Sequence, residues 1–365
     1  MPSVRLHGAF SIANTGDQLL QVATRQALKH HAPDWRVELS APQLPDPFWR
    51  HRWDASRGHG VAIQPTPIDP DGWSGWTETE LLVLGGGGLI SRDPRFAAFF
   101  PTTTIPTAWN AIGFHHAAAI DGWTGEMADC ITRSARDARY CSVRDRRSAE
   151  LLADRGVTDV AIVPDPCLAL ELPAFKSESN ARRTIGISPG RAFRLRPAFA
   201  TRFLVSLDRL AGRYDCDLVF FAFTPLYDPD IAAQAAEEIP RARFVTPTDA
   251  LDTWRRVGEL DGYITSRYHG AIAALAQRVP LLVIDEYRNA RAQRSKLTEL
   301  FGDVHPDDVH ANPNIVFPFD EQDDADQALE WLFDNESTPT LDTARQRLDQ
   351  HWHDLVAALD RSVPS

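Results

Sequence analysis

The chain has 365 residues, of which 43% are hydrophobic and 24% charged, and a net charge of −12. It is too long for one ordinary core, so two domains are expected, and its composition is that of a globular protein rather than a disordered or fibrous one. The acidic balance argues against a general affinity for nucleic acid or anionic membrane surfaces, so any anion it binds must meet a local basic site.

Cys130, Cys141, Cys167 and Cys216 are widely spaced and contain no Cys-x-x-Cys, which suggests neither a zinc site nor a disulfide framework and favours a reducing compartment. No segment approaches the ~20 apolar residues that span a bilayer, and no basic-then-apolar leader opens the chain. The expectation is a cytoplasmic protein without an integral membrane segment, compatible with peripheral association at an inner membrane face.

Val4 to Phe10 reads as a first strand, and Leu19, Leu20, Ala23 and Ala27 then recur at helical spacing behind the turn Ser11-Ile12-Ala13-Asn14-Thr15-Gly16-Asp17. Asp17 is placed as the N-cap, and Gly16 permits a ligand or another backbone to approach; a capped helix and the wall of a substrate cleft are both open. Residues 40 to 76 are proline-rich and carry Trp49, Trp53, Trp73 and Trp76. These indoles either pin a loop to the core or stack on a sugar face. Leu81 to Leu84 is a buried strand running into Gly85-Gly86-Gly87-Gly88, which is neither a Walker loop nor a dinucleotide fingerprint. Ala108 to Phe114 reads as another strand, followed by His115 and His116, of which at most one lines a cleft. Tyr140 to Val143 is a strand with Arg144-Asp145 as its polar exit, and Ser148 to Arg155 is a helix closed by Gly156. Alternating strands and helices signify a doubly wound α/β domain.

The aperiodic polar stretch Leu172 to Arg183 reads as a linker. A second alternating series follows: strand Thr184 to Ser188, a turn holding Arg191, Arg194 and Arg196, a helix from about Pro197 to Tyr214, strand Asp217 to Phe223, helix Asp230 to Glu238, strand Phe244-Val245 and helix Leu251 to Gly258. The stretch Gly262 to Tyr287 is one βαβ unit. Its first strand ends in Ser266-Arg267-Tyr268-His269-Gly270, and an Arg, a His and the amides of a helix start together describe an anion site. If the sheet is parallel, Ser188 and Ser266 share the edge at which such sheets bind ligands, and Arg191 or Arg194 faces Arg267 and His269 across one anion. Helices at about Ala325 to Phe333 and Leu341 to Leu359 close the chain, the last with a packing stripe of Leu341, Leu348, Trp352, Leu355 and Leu359.

Together, Asn14-Thr15-Gly16-Asp17-Gln18-Leu19-Leu20, Leu84 with its four glycines, Ser142-Val143-Arg144-Asp145 with Ser148 and Gly156, Asp165, and Ser266-Arg267-Tyr268-His269-Gly270 through Val279-Pro280 resemble the polysaccharide pyruvyltransferase family, in family order. The resemblance implies two Rossmann-like doubly wound α/β domains facing across a cleft, GT-B-like, with a C-terminal helix crossing back. The domains fall at 1–175 (acceptor side), 176–340 (phosphoenolpyruvate side) and 341–365 (the returning helix). It also implies transfer of the pyruvyl group of phosphoenolpyruvate to two hydroxyls of a sugar, possibly nucleotide- or lipid-linked, with formation of a ketal, release of phosphate, and neither metal nor cofactor. His269 and Arg267 become the expected catalytic residues. Arg191, Arg194, Ser266, Tyr268, Gly270, Asn14, Gly16, Asp17, Gly86, Gly87, His115, His116, Arg288 and Arg291 become the expected substrate-binding residues.

The chain departs from the family pattern in two places. The family commonly has a Lys three residues after the Tyr of the strand following the Arg-x-His unit, where this chain has Tyr287-Arg288-Asn289-Ala290, leaving Arg288 or Arg291 as substitutes. Gly113-Phe114-His115-His116 stands where the family often has Gly-Pro. Competing expectations are a GT-B glycosyltransferase using a nucleotide sugar, with Asp285-Glu286 on the ribose, and a non-catalytic sugar-binding member. An NAD-dependent dehydrogenase is weakened by the absent fingerprint.

Overall fold

The computed structural model describes residues 2–10, 14–42, 63–66, 80–100, 103–115, 123–172, 182–223, 228–286, 295–304, 315–319, 325–334 and 340–361. Trp49, Trp53, Trp73, Trp76, His116, Tyr287, Arg288 and Arg291, and most of the expected linker, lie outside these residues. The chain divides into two compact units, one made of 1–13, 17–170 and 344–365, the other of 14–16 and 171–343.

In the first unit β1 (Ser3–His7), β2 (Arg36–Pro42), β3 (Ile63–Thr66), β4 (Leu81–Leu84) and β6 (Thr107–Trp109) form a parallel sheet in the order β3-β2-β1-β4-β6. A second parallel sheet, β5-β7-β8-β9, comprises β5 (Gly87–Ile90), β7 (Ile112–Phe114), β8 (Ser142–Val143) and β9 (Ala161–Ile162). The span expected as one strand, Ala108 to Phe114, is therefore two strands in two sheets. The break falls at Ala111, whose φ of 50° lies in the left-handed region and interrupts the ladder. The glycine run makes the equivalent passage from β4 to β5, with Gly87 at φ 101°, so its glycines serve a change of sheet.

Helix α1 (Thr15–His31) begins three residues earlier than expected and puts Asp17 in its first turn rather than at the N-cap, where a carboxylate still complements the helix dipole. Helices α2 (Glu126–Asp137) and α3 (Arg146–Ala153) complete this part of the unit. The last helix of the chain, α11 (Asp342–Asp360), sets Trp352, Leu355 and Leu359 into a core with Val4, Leu6, Leu39 and Val83. Its buried His351 bridges the Tyr140 hydroxyl (3.0 Å) and Asn110 Oδ1 (2.9 Å), and Arg347 donates to the Ile162 carbonyl (2.9 Å). Three residues of the stripe read from the sequence, Trp352, Leu355 and Leu359, thus pack on the sheet that the chain builds first.

The second unit has one six-stranded parallel sheet, β12-β11-β10-β13-β14-β15, built from β10 (Thr184–Ser188), β11 (Asp217–Phe221), β12 (Ala242–Val245), β13 (Gly262–Thr265), β14 (Leu281–Ile284) and β15 (Ile315–Val316). Its helices are α4 (Ala192–Leu195), α5 (Pro197–Arg213), α6 (Pro229–Glu237), α7 (Ala250–Gly258), α8 (Tyr268–Ala276), α9 (Lys296–Val304) and α10 (Ala325–Asp334). Strand order reverses between β10 and β13, where Ser188 pairs with Thr265. A crevice at the carboxyl ends of strands opens at such a switch point, and the expected shared edge of Ser188 and Ser266 is there.

His7 is fully buried on β1, with Nδ1 2.9 Å from Ser40 Oγ and Nε2 3.2 Å from the Ala98 carbonyl. Burial pushes its imidazole down to about 4; Arg5 adds to this and the Ala98 contact opposes it. The folded protein holds His7 neutral while the unfolded chain takes up a proton below pH ~6.5, so stability is lost as pH falls from ~6.5 towards 4. Denaturant unfolding should show wild type losing roughly 2 kcal/mol more than His7→Asn between pH 7.5 and pH 5. An unchanged pH dependence in the variant would contradict the assignment.

Candidate functional site

At the switch point of the second unit, Tyr263 on β13 donates to Ser188 Oγ (2.7 Å), which donates to the Phe221 carbonyl (3.0 Å), while the Tyr263 ring stacks on Phe221. Burial raises the Tyr263 phenol, so it remains a donor. Three strands are thereby locked in register just before the turn that carries the chemistry.

Arg267 opens that turn, with its N–H on Thr265 Oγ1 (3.0 Å), and α8 follows without a side-chain cap. Helix α8 is buried along its whole length from Tyr268 to Leu275, which requires its small residues. A Cβ on Gly270 would lie 2.6 Å from Thr265 Oγ1. His269 therefore leaves the sheet edge on a helix with no freedom to turn. Its ring meets Tyr268 edge-on at 5.2 Å, and its exposure is 9%.

The segment 14–16 groups with this unit. Thr15 Oγ1 donates to the Phe223 carbonyl and Asn14 Oδ1 accepts from the Gly16 N–H (3.0 Å). A Cβ on Gly16 would stand 1.9 Å from His269 Nδ1. The imidazole thus occupies the space that a side chain at position 16 would need.

Arg267 forks onto Asp228, with Nε 3.0 Å from Oδ2 and Nη2 on Oδ1. Asp228 is fully buried at the start of α6 yet makes no side-chain cap there, because its carboxylate is given to the guanidinium. Arg267 Nη1 lies 3.9 Å from Glu286 Oε1, and Arg191 Nε lies 3.6 Å from the same oxygen. The other Glu286 oxygen accepts from the Ala192 N–H (3.1 Å). Arg191 and Arg267 converge on the protein's own Glu286 carboxylate, where the sequence led to the expectation of a bound anion. Gly190 makes this approach feasible, since a Cβ there would be 2.0 Å from Ser266 Oγ and 2.1 Å from Glu286 Oε2. Ser266 Oγ is buried and has no hydrogen-bond partner among the described residues. Arg194 is exposed on α4.

In the first unit, Asp17, Gly86 and Gly87 come together: a Cβ on Gly87 would be 3.0 Å from Asp17 Oδ1, and one on Gly86 would be 3.1 Å from Leu20. His115 rests its ring on Phe96 at 5.2 Å. Arg144 is a buried ion pair, with Nε 3.5 Å from Asp145 and Nη1 3.7 Å from Asp165. Asp145 caps α3 by accepting from the Ser148 N–H (2.7 Å), and burial raises its carboxyl against the pull of Arg144. Burial, reinforced by Asp165, holds the nearby Cys167 thiol protonated, which makes it a poor nucleophile.

The sequence profile of the family described as "Polysaccharide pyruvyl transferase" matches residues 14–286, which include every residue of the switch-point site named above. The chain belongs to the polysaccharide pyruvyl transferase family. No curated protein sequence matches it. Among solved structures it is similar to the UDP-GlcNAc 2-epimerase of Methanocaldococcus jannaschii, at 10% identity and a TM-score of 0.59 over 99% of this chain and 100% of that one. It is also similar to the UDP-GlcNAc 2-epimerase of Neisseria meningitidis, at 10% identity and a TM-score of 0.55 over 97% and 94%. These likenesses show the fold, which is of the GT-B type.

Lys296 is a cation beside the switch-point turn that sequence spacing does not place there. It lies nine positions after Tyr287 at the start of α9, its Nζ 5.6 Å from the centre of the Tyr268 ring. Ser295 fixes it there, accepting from Leu297 and Thr298 N–H groups (3.1 and 3.3 Å) and donating to Asp285. A Ser before a Lys-Leu helix start is a legible N-cap, but its return to Tyr268 depends on tertiary packing. Asp228 and Gly190 were also missed, since one reads as a cap and the other as an ordinary turn.

Asp228→Asn should leave Arg267 without its buried partner. The loss expected is about 2–3 kcal/mol, below the ~3–5 kcal/mol of a fully buried pair because Arg267 is partly exposed. Denaturant titration checks this, and a change under about 0.5 kcal/mol, the usual size for an uninvolved surface site, would contradict the pairing.

Proposed function

We propose that the chain transfers the pyruvyl group of phosphoenolpyruvate to two hydroxyls of one sugar in a cell-surface polysaccharide or glycoconjugate precursor, forming a ketal and releasing phosphate. The observation that carries this is His269, held against Gly16 at the head of α8 beside Ser266 and Arg267, within the residues that match the family.

The donor brings a phosphate and a carboxylate. Arg191 and Arg267 are already balanced by Asp228 and Glu286, two guanidiniums against two carboxylates. The additional positive field comes from Lys296, Arg194 and the amides at the start of α8, with Ser266 Oγ as a further donor. Arg267, braced by Asp228, sets the turn and presents Nη1 to the donor. The amides and Lys296 take the phosphate.

His269 delivers a proton to the methylene carbon, which makes C2 electrophilic. One sugar hydroxyl adds to C2 and loses its proton, the C2–O bond to phosphate breaks, and the second hydroxyl adds to the same carbon. Of the two hydroxyl protons released, one balances the proton placed on carbon and the other leaves with phosphate. No step calls for a metal or cofactor.

The similar epimerase structures include one bound to UDP-GlcNAc, and a nucleotide-sugar reading would assign the carboxylates after β14 to a ribose. Asp285 here accepts from Ser295, and Glu286 serves Ala192, Arg191 and Arg267, so both are engaged within the unit.

Phosphoenolpyruvate supplied with a panel of acceptor glycosides should give phosphate together with the mass gain of a ketal. His269→Ala should abolish phosphate release with the melting transition retained; an active variant would overturn its role. Lys296→Ala should raise the phosphoenolpyruvate KM by roughly tenfold or more, the loss of a hydrogen bond to a charged group. Stabilisation of the fold by UDP and not by phosphoenolpyruvate would favour the nucleotide-sugar reading.

A further inference from the structure

We propose that His31, Asp349 and His353 form a binding site for a divalent transition-metal ion of the zinc class, which clips the end of α1 to the terminal helix α11 within the first unit. The proposal is independent of the transfer reaction.

His31 is the last residue of α1, and Asp349 and His353 stand one turn apart on α11, at the i, i+4 spacing that puts two side chains on one helix face. His31 Nε2 is 3.5 Å from Asp349 Oδ1, and His353 Nε2 is 3.7 Å from Asp349 Oδ2. One donor atom from each of the three residues lies within 4.8 Å of the others. Neither histidine is hydrogen-bonded to Asp349 at these separations. They are close to the ~3.3 Å between neighbouring ligands that bonds of about 2.0–2.1 Å make around a tetrahedral ion.

The rings of His31 and His353 meet edge-on at 4.8 Å, so both imidazoles are already gathered. The His31 side chain is 7% exposed and its Nε2 is turned towards Asp349, whereas Asp349 and His353 are open to solvent, which gives an ion a way in. Two imidazoles and one carboxylate with room for water suit zinc, nickel or copper and are a poor set for magnesium or calcium, which prefer all-oxygen sites. The sequence offered only Asp349-x-x-x-His353; His31 joins them through the fold, so spacing alone could not reveal the site.

The ion would add a bond between two helices that the core already places side by side through Leu28 and Trp352. Its effect is to raise the stability of the terminal helix as zinc concentration rises.

The test is calorimetric titration of the full-length, chelator-treated protein with zinc chloride, alongside its melting temperature with and without zinc. Wild type should bind one zinc ion and melt higher in its presence. His353→Ala and Asp349→Asn, both at exposed positions and so expected to fold, should weaken zinc binding by roughly tenfold or more. His31→Gln should do the same, and His30→Ala should retain both binding and the melting shift. Magnesium chloride should produce neither effect. Absence of zinc binding in wild type, or full binding by His353→Ala and Asp349→Asn, would overturn the proposal.

Discussion

The site depends on one steric constraint: the His269 imidazole sits where a Cβ of residue 16 would be. In the proposed reaction the imidazole delivers a proton and must be held in one orientation, because displacement of an ångström from a reacting atom is costly. Here the orientation is set from several sides. Helix α8 is buried from Tyr268 to Leu275, Tyr268 meets the edge of the ring, and Gly16 closes the space beside Nδ1. Thr15 and Asn14 fix the backbone at position 16, so the glycine is part of the construction of the histidine site.

Around that constraint the charges are arranged to cancel. Arg267 and Arg191 converge on Glu286, and Asp228 takes the fork of Arg267. A bare pair of guanidiniums at a sheet edge would repel one another; carboxylates between them allow close placement and fix their geometry. In the proposed transfer these arginines therefore meet the donor partly neutralised. In the proposed transfer, recognition of the phosphate leans on the helix start, Ser266 and Lys296. A fold-wide acidic balance and a local cluster of cationic side chains coexist on this arrangement.

Much of the fold was legible because its signals are local. Buried runs such as Leu281 to Ile284, the small-residue helix behind His269 and the leucine and tryptophan stripe of the last helix depend on period and composition, and they survive the tertiary context. The double sheet of the first unit was not legible, since it turns on the backbone at Ala111 and Gly87, and an alanine with positive φ leaves no mark in the sequence. In the site, Arg267 and His269 could be read from the turn they share. Asp228, Gly190 and Lys296 could not, because each matters only through a partner remote in sequence: Arg267, Glu286 and Tyr268 respectively.

Competition of residue 16 and His269 for one volume can be measured by a double-mutant cycle on unfolding free energy using Gly16→Ala and His269→Ala. Gly16→Ala should destabilise the wild type but be nearly harmless once His269 is alanine, with a coupling of about 1 kcal/mol or more. Additive effects within about 0.3–0.5 kcal/mol, the behaviour of independent sites, would contradict it.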